Sequence, residues 1–202
     1  MSAFADHAKS LERLREIVMA VAQPEPPSPW VCRFAPMIAA AGSVLDIACG
    51  SGRHARYLAA RGCQVLAVDI DAVALAGLTG VEHVSTLEAD LEGAPWPFFG
   101  RQFDAVIVTR YLHRPLLQAM VGAVAPHGVL IYETFAIGNE RYGRPRNPEF
   151  LLQPGELLEV VRGQLQVLAF EDLYVDDPKP AMMQRMCAVR HGVEPQKSVN
   201  LP

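Results

Sequence analysis

Val44–Asp71, VLDIACGSGRHARYLAARGCQVLAVDID, holds an apolar run, a glycine turn, a helical stretch, a second apolar run and then acids. The runs Ser43–Ile47 and Gln64–Asp69 are apolar nearly throughout, as expected of strands covered on both faces. Between them Arg53–Arg61 reads as a helix, with Gly62 where a left-handed residue closes one. This order of strand, glycine turn, helix, strand and acid is how α/β proteins build a pocket for a nucleoside-bearing cofactor.

The pattern continues on both sides. Upstream, Leu11, Leu14, Val18 and Val21 space an amphipathic helix over about 5–21. The run Gln23–Pro29 (QPEPPSP) stops it, because proline removes backbone donors. That run reads as a stiff connector within one domain, or a lid hinge. A second helix is expected over Trp30–Ala41. Downstream come a short helix (Ala72–Leu78), a third strand (Val81–Leu87), a loop at Pro95-Trp96-Pro97 and a fourth strand (Phe103–Thr109). A helix (Leu116–Val124), a turn at Pro126-His127-Gly128 and a fifth strand (Val129–Thr134) follow. After a long polar segment from Phe135 to Gln153, Pro154–Arg162 reads as a helix. Leu165–Leu173 and Met182–Arg190 read as two closing strands joined by a proline-containing turn.

Repeated β-then-α units imply a parallel sheet with helices on both faces, while the short final turn requires one reversed strand near an edge. The expectation is therefore a single α/β, Rossmann-like domain of seven strands over residues 1–202. Within it, 1–29 is the N-terminal helix and connector, 30–191 the core and 192–202 a frayed tail.

A net charge of -4 argues against a general nucleic-acid or anionic-membrane surface. Cys32, Cys49, Cys63 and Cys187 have neither CxxC nor zinc-ligand spacing and read as small buried thiols, with no metal site. No leader-like or membrane-spanning apolar run is present, so the chain reads as cytoplasmic.

The glycine turn decides the cofactor. Gly50-Ser51-Gly52-Arg53-His54-Ala55 satisfies the GxGxxA pattern of nicotinamide and flavin proteins, with Asp69 near the ribose-binding acid's place. But Asp46 lies four residues before Gly50, and a carboxylate beside a pyrophosphate costs electrostatically. S-adenosylmethionine inverts that logic, because it carries a sulfonium and an ammonium and no phosphate. Asp46 then helps, the glycines admit the backbone to the amino-acid moiety, and Asp69 can accept both ribose hydroxyls. Ile70 and Leu91 sandwich the adenine in this reading, with Asp90 facing its amine.

The segments VLDIACGSGRHARYLAARG, AVDID, EADLE and FDAVIVTRYLHR resemble the class I S-adenosylmethionine-dependent methyltransferases. Within that family the glycine-turn run is most similar to the small bacterial tellurite-resistance-type enzymes. The resemblance implies the seven-stranded fold, S-adenosylmethionine as donor and S-adenosylhomocysteine as product. The family's first turn glycine is Ala48 here. The expected cofactor contacts are Asp46, Ala48, Gly50, Gly52, Arg53, Asp69, Ile70, Asp90, Leu91, Thr109 and Arg110. Arg53 and His54, a basic pair opening a helix, oppose its dipole and otherwise read as solvated surface.

Methyl transfer is an in-line displacement, which needs alignment and exclusion of water more than a metal. A hydroxyl or ammonium acceptor also needs a base, and Tyr111, His113 and Glu133 are the candidates by position. After strand five, Arg141, Tyr142, Arg144 and Arg146 could clamp an oxyanion through planar donors, or form a solvated basic loop. The chain lacks the Asn/Asp-Pro-Pro-aromatic motif of exocyclic-nitrogen methylation and the Pro-Cys of cytosine C5 methylation. The reading is a methyltransferase for a small, anionic acceptor. The alternatives are a non-catalytic S-adenosylmethionine-binding sensor and an NAD-dependent oxidoreductase.

Overall fold

The computed structural model describes residues 25–192. The expected helix over 5–21 and the tail from 193 onward lie outside the described residues. The order is α1 (Pro29–Phe34), β1 (Ser43–Ile47), α2 (Arg53–Ala59), β2 (Gln64–Asp69), α3 (Ala72–Ala76), β3 (Val84–Glu88) and β4 (Phe103–Thr109). Then follow α4 (Leu117–Gly122), β5 (Val124–Phe135), α5 (Glu156–Val161), β6 (Gln166–Val175) and β7 (Ala181–Val189).

The seven strands form one sheet in the order β3-β2-β1-β4-β5-β7-β6. The β1–β5 pairings are parallel, and β7 is antiparallel to both neighbours. The reversed strand is thus one in from the edge. The crossover through α5 carries β6 to the outside, and the closing hairpin slots β7 into the gap. Two apolar layers sandwich the sheet. Leu45, Ile47, Val106 and Leu130 face α4 and α5, and Val44, Ala105, Ile107 and Ile131 face α1 and α2. The switch of strand order falls between β1 and β4, so the crevice opens beyond their C-terminal ends.

Several expected boundaries are corrected. The helix over Trp30–Ala41 stops at Phe34, and a 3-10 turn over Ala35–Met37 takes its place. Pro36 has no N–H to continue the helical ladder. The third strand begins at Val84 rather than Val81, because the amide of Val84 turns back to the Val81 carbonyl and His83 is left-handed (φ 63°). The fifth strand begins at Val124, and the turn expected at Pro126–Gly128 is an irregularity within it. The helices expected over Arg53–Arg61, Ala72–Leu78, Leu116–Val124 and Pro154–Arg162 each lose residues at one end or both. The hairpin strands shift to Gln166–Val175 and Ala181–Val189.

Three of the cysteines are buried, and Cys32 is half-buried. Among the described residues no helix is long and apolar enough to cross a membrane.

Candidate active site

The site grows from the end of β1. Asp46 is fully buried, and neither carboxylate oxygen has a hydrogen-bond partner among the described residues. Burial pushes its pKa up to about 7, with the nearby Asp69 charge adding to the effect. The Ala55 amide and the Arg53 guanidinium oppose the shift, although neither makes a hydrogen bond of normal geometry to it.

The turn after β1 places Ala48, Gly50 and Gly52 in the left-handed region (φ 50°, 54° and 75°). The two glycines serve different ends. A Cβ on Gly50 would meet nothing within 4 Å, so the turn leaves an open cradle there. A Cβ on Gly52 would lie 2.5 Å from both Leu78 terminal methyls, so that glycine serves helix–loop packing.

Asp69 ties this turn to the end of β2. Its Oδ2 accepts from the Gly50 amide at 2.7 Å, and its Oδ1 accepts from the Asp71 amide at 2.9 Å. Each oxygen keeps a lone pair. Beside it opens a cavity of about 280 Å³ lined by Ala48, Asp69, Ile70, Ala89, Asp90, Leu91, Glu92 and Tyr111. Leu91 is buried, whereas Ile70 is 64% exposed and forms a loose apolar wall. Asp90 Oδ1 accepts from the Glu92 and Gly93 amides, which holds its carboxyl below the usual carboxylate range. The Tyr111 hydroxyl is buried without a hydrogen-bond partner, and burial raises its pKa.

The structure corrects the solvated reading of Arg53 and His54. His54 is 1% exposed. Its Nε2 accepts from the Ser28 amide at 3.1 Å, and its Nδ1 lies 3.4 Å from Thr109 Oγ1. That bond places the proton on Nδ1. Burial, helped by Arg53 and Arg110, lowers the pKa to about 3. A neutral imidazole does not oppose the helix dipole. The Arg53 side chain is 12% exposed and paired with Glu25.

Arg110, left-handed at φ 55°, follows directly on β4 and pairs with the same Glu25 oxygen. Glu133 is buried and ion-paired to Arg185 at 3.3 Å; Arg185 also approaches Glu171 at 3.5 Å. His113 lies 3.9 Å from Glu92, which lines the cavity, and is not itself part of the lining. Of the three expected bases, Tyr111 lines the cavity, His113 flanks it, and Glu133 is already engaged.

Arg141, Tyr142, Arg144 and Arg146 are exposed, and none lines the cavity. The three guanidiniums make no hydrogen bond or ion pair among the described residues, while Tyr142 stacks on Tyr174 at the end of β6 (centroids 5.0 Å apart). Their loop is held by Arg114, which the sequence did not single out. Arg114 is bidentate to Glu156 (2.8 and 2.9 Å) and donates to the carbonyls of Glu149 and Leu151. Buried Asn139 adds bonds to the Pro145 carbonyl and the Met182 amide. Glu25, Glu92 and Arg114 are the site residues that sequence reasoning missed. Only the position of Glu92 beside Asp90 offered a signal.

Residues 44–128 match the family profile described as a methyltransferase domain. An uncharacterized methyltransferase of Mycobacterium tuberculosis is 38% identical over 108 residues, covering 50% of this chain and 54% of that protein. The chain thus spans about half the length of the curated relatives it matches. TehB from Haemophilus influenzae superposes with a TM-score of 0.69 at 20% identity, over 84% of this chain and 64% of its own. The 1,6-didemethyltoxoflavin-N1-methyltransferase of Burkholderia thailandensis, solved with its substrate and S-adenosylhomocysteine, superposes with a TM-score of 0.59 at 18% identity, over 93% and 87%. The methyltransferase-domain match falls on the segment that builds the glycine turn, the paired acids and the cavity, and over that segment the chain is similar to methyltransferases, while its seven-stranded sheet has the fold of the solved S-adenosylmethionine-dependent methyltransferases.

Proposed function

We propose that the protein transfers the methyl group of S-adenosylmethionine to a small, anionic acceptor at the crevice beyond β1 and β4. One observation carries the cofactor: Asp46 is a fully buried carboxylate with both oxygens unpartnered, beside a glycine cradle with room for a ligand. An uncompensated buried carboxylate is costly, and a cationic ligand supplies the missing partner. A pyrophosphate would make the cost worse.

The remaining residues fit the same ligand. Asp46 faces the ammonium end, and Gly50 admits the amino-acid moiety. Asp69 accepts from the ribose hydroxyls while holding Gly50 in place. Ile70 and Leu91 bracket the adenine, and Asp90, Glu92 and Tyr111 close that end of the cavity. When bound, S-adenosylmethionine supplies a methyl group activated by its sulfonium. The chain aligns the acceptor behind that methyl and keeps water out.

Thr109 and Arg110, at the end of β4, stand at the reacting end. His113 lies beside Glu92, at the end of the cavity that this reading gives to the adenine, and is given no proton-transfer role. The anionic character of the acceptor rests on the exposed guanidiniums of Arg141, Arg144 and Arg146 on the loop following β5. Thermal-shift titration with S-adenosylmethionine, S-adenosylhomocysteine and NAD tests the cofactor. Stabilisation by both sulfur ligands is expected, and stabilisation by NAD alone would overturn the reading.

A further inference from the structure

The connector before α1 reaches Arg53, in the first turn of α2, and Arg110, just past β4. Ser28 is its anchor: the Ser28 amide donates to His54, and its hydroxyl accepts from the Trp30 amide. Trp30 is fixed in turn by its indole N–H on the Met186 carbonyl. Three residues upstream of that anchor, one oxygen of Glu25 accepts from Arg53 Nη1 at 2.9 Å and from Arg110 Nη1 at 2.8 Å. The Pro26 carbonyl lies 3.4 Å from the same Arg53 nitrogen.

The two arginines come from different places, the first turn of α2 and the residue just past β4, and nothing in the sheet requires them to converge. Both guanidiniums meet on one Glu25 oxygen, and Arg53 also feels the charges of Asp46 and Glu133. Two guanidiniums placed side by side repel unless an anion lies between them. The Arg53 side chain is largely withdrawn from water, whereas that of Glu25 is 61% exposed. An exposed carboxylate on a strap is an exchangeable counterion.

We propose that Arg53 and Arg110 form a carboxylate-binding subsite at the methyl-transfer end of the crevice, which Glu25 fills when no ligand carboxylate is present. The inference rests on the cofactor reading above. Two sources share this chemistry: the methionyl carboxylate of the cofactor and a carboxylate on the acceptor. The first has a structural argument, because Asp46 and Arg53 adjoin and would meet the two charges of one α-amino-acid zwitterion. The Pro26-Pro27 pair keeps the strap stiff, so Glu25 leaves by swinging about Ser28 rather than by local rearrangement.

The test is calorimetry on the full chain, wild type and Glu25→Gln, with S-adenosylhomocysteine and with decarboxylated S-adenosylmethionine. The exposed Glu25 ion pairs are modest, so removing the competitor should tighten S-adenosylhomocysteine about three- to tenfold. The ligand without a carboxylate should bind both proteins alike. Arg110→Ala, at a half-exposed position, should weaken S-adenosylhomocysteine and abolish the difference made by Glu25→Gln. That pattern assigns the subsite to the methionyl carboxylate.

If S-adenosylhomocysteine is indifferent to Glu25, the saturated complex is titrated with benzoate and succinate. Binding to Glu25→Gln that exceeds wild type and is lost with Arg110→Ala assigns the subsite to the acceptor. No effect of Glu25→Gln on any carboxylate ligand overturns the proposal. Failure of the wild type to bind S-adenosylhomocysteine at all would overturn the cofactor reading instead, and the same carboxylate titration on the ligand-free proteins would still judge the subsite.

Discussion

Replacing Asp46 with Asn should stabilise the ligand-free protein at alkaline pH and cripple cofactor binding. The carboxyl pKa rises from 3.8 unfolded to about 7 folded. The folded state therefore holds a proton that the unfolded state has released, and stability is lost as pH climbs from 3.8 through 7. Roughly three units correspond to about 4 kcal/mol at full development. Between about pH 5.5 and about pH 8.5 the wild type should lose about 2 kcal/mol relative to Asp46→Asn, which has nothing to titrate. Urea denaturation of both proteins across that interval measures the difference. Binding should show the converse: a cationic ligand ionises Asp46, so cofactor affinity should rise with pH through about 7 with proton release. Calorimetry in buffers of different ionisation enthalpy reports that release. A stability difference independent of pH would refute the reasoning, because it would mean that Asp46 already has its counterion without a ligand.

The two turn glycines should part company. Gly50→Ala should cost about 1 kcal/mol of stability from backbone strain alone yet lose most cofactor affinity, as calorimetry would show. Gly52→Ala, forced against Leu78, should cost about 2–3 kcal/mol by urea denaturation, with part of the loss recovered on Leu78→Ala. His54 works in the opposite direction to Asp46. Its folded pKa of about 3 lies below the ordinary 6.5, so its contribution is present above 6.5 and lost as pH falls toward 3. His54→Gln should flatten that acid limb in denaturation curves. Arg114→Ala should leave the sheet intact and free the segment around 149–156, seen as faster amide exchange there and about 2–3 kcal/mol of lost stability.

The sheet was legible because its evidence is local. Ser43–Ile47, Gln64–Asp69 and Phe103–Thr109 are apolar runs whose ends coincide with the observed strands. The glycine turn and the acids beside it were legible for the same reason, since Asp46, the glycines and Asp69 sit at fixed short spacings. The misplaced ends lie where a single residue sets the backbone, as at Pro36 and the left-handed His83. The reading of Arg53 and His54 as solvated surface failed for a different reason. Their partners, Glu25, Ser28 and Thr109, are 26 to 55 residues away, and no periodicity reports such pairs. Arg114 was missed likewise, its carboxylate partner being 42 residues downstream. Glu133 had the right strand and the right end for a base, but its cross-strand neighbour is Arg185, on a strand whose register only the fold reveals.

The most direct test of the central claim is transfer of methyl label. Wild-type protein, S-adenosylmethionine labelled on the methyl group and a fractionated metabolite extract should yield a labelled small molecule. It should be retained on anion exchange, and it should not form with Asp46→Asn. Equal labelling by Asp46→Asn, or no labelled product in any fraction from a wild type shown to bind the cofactor, would contradict the account.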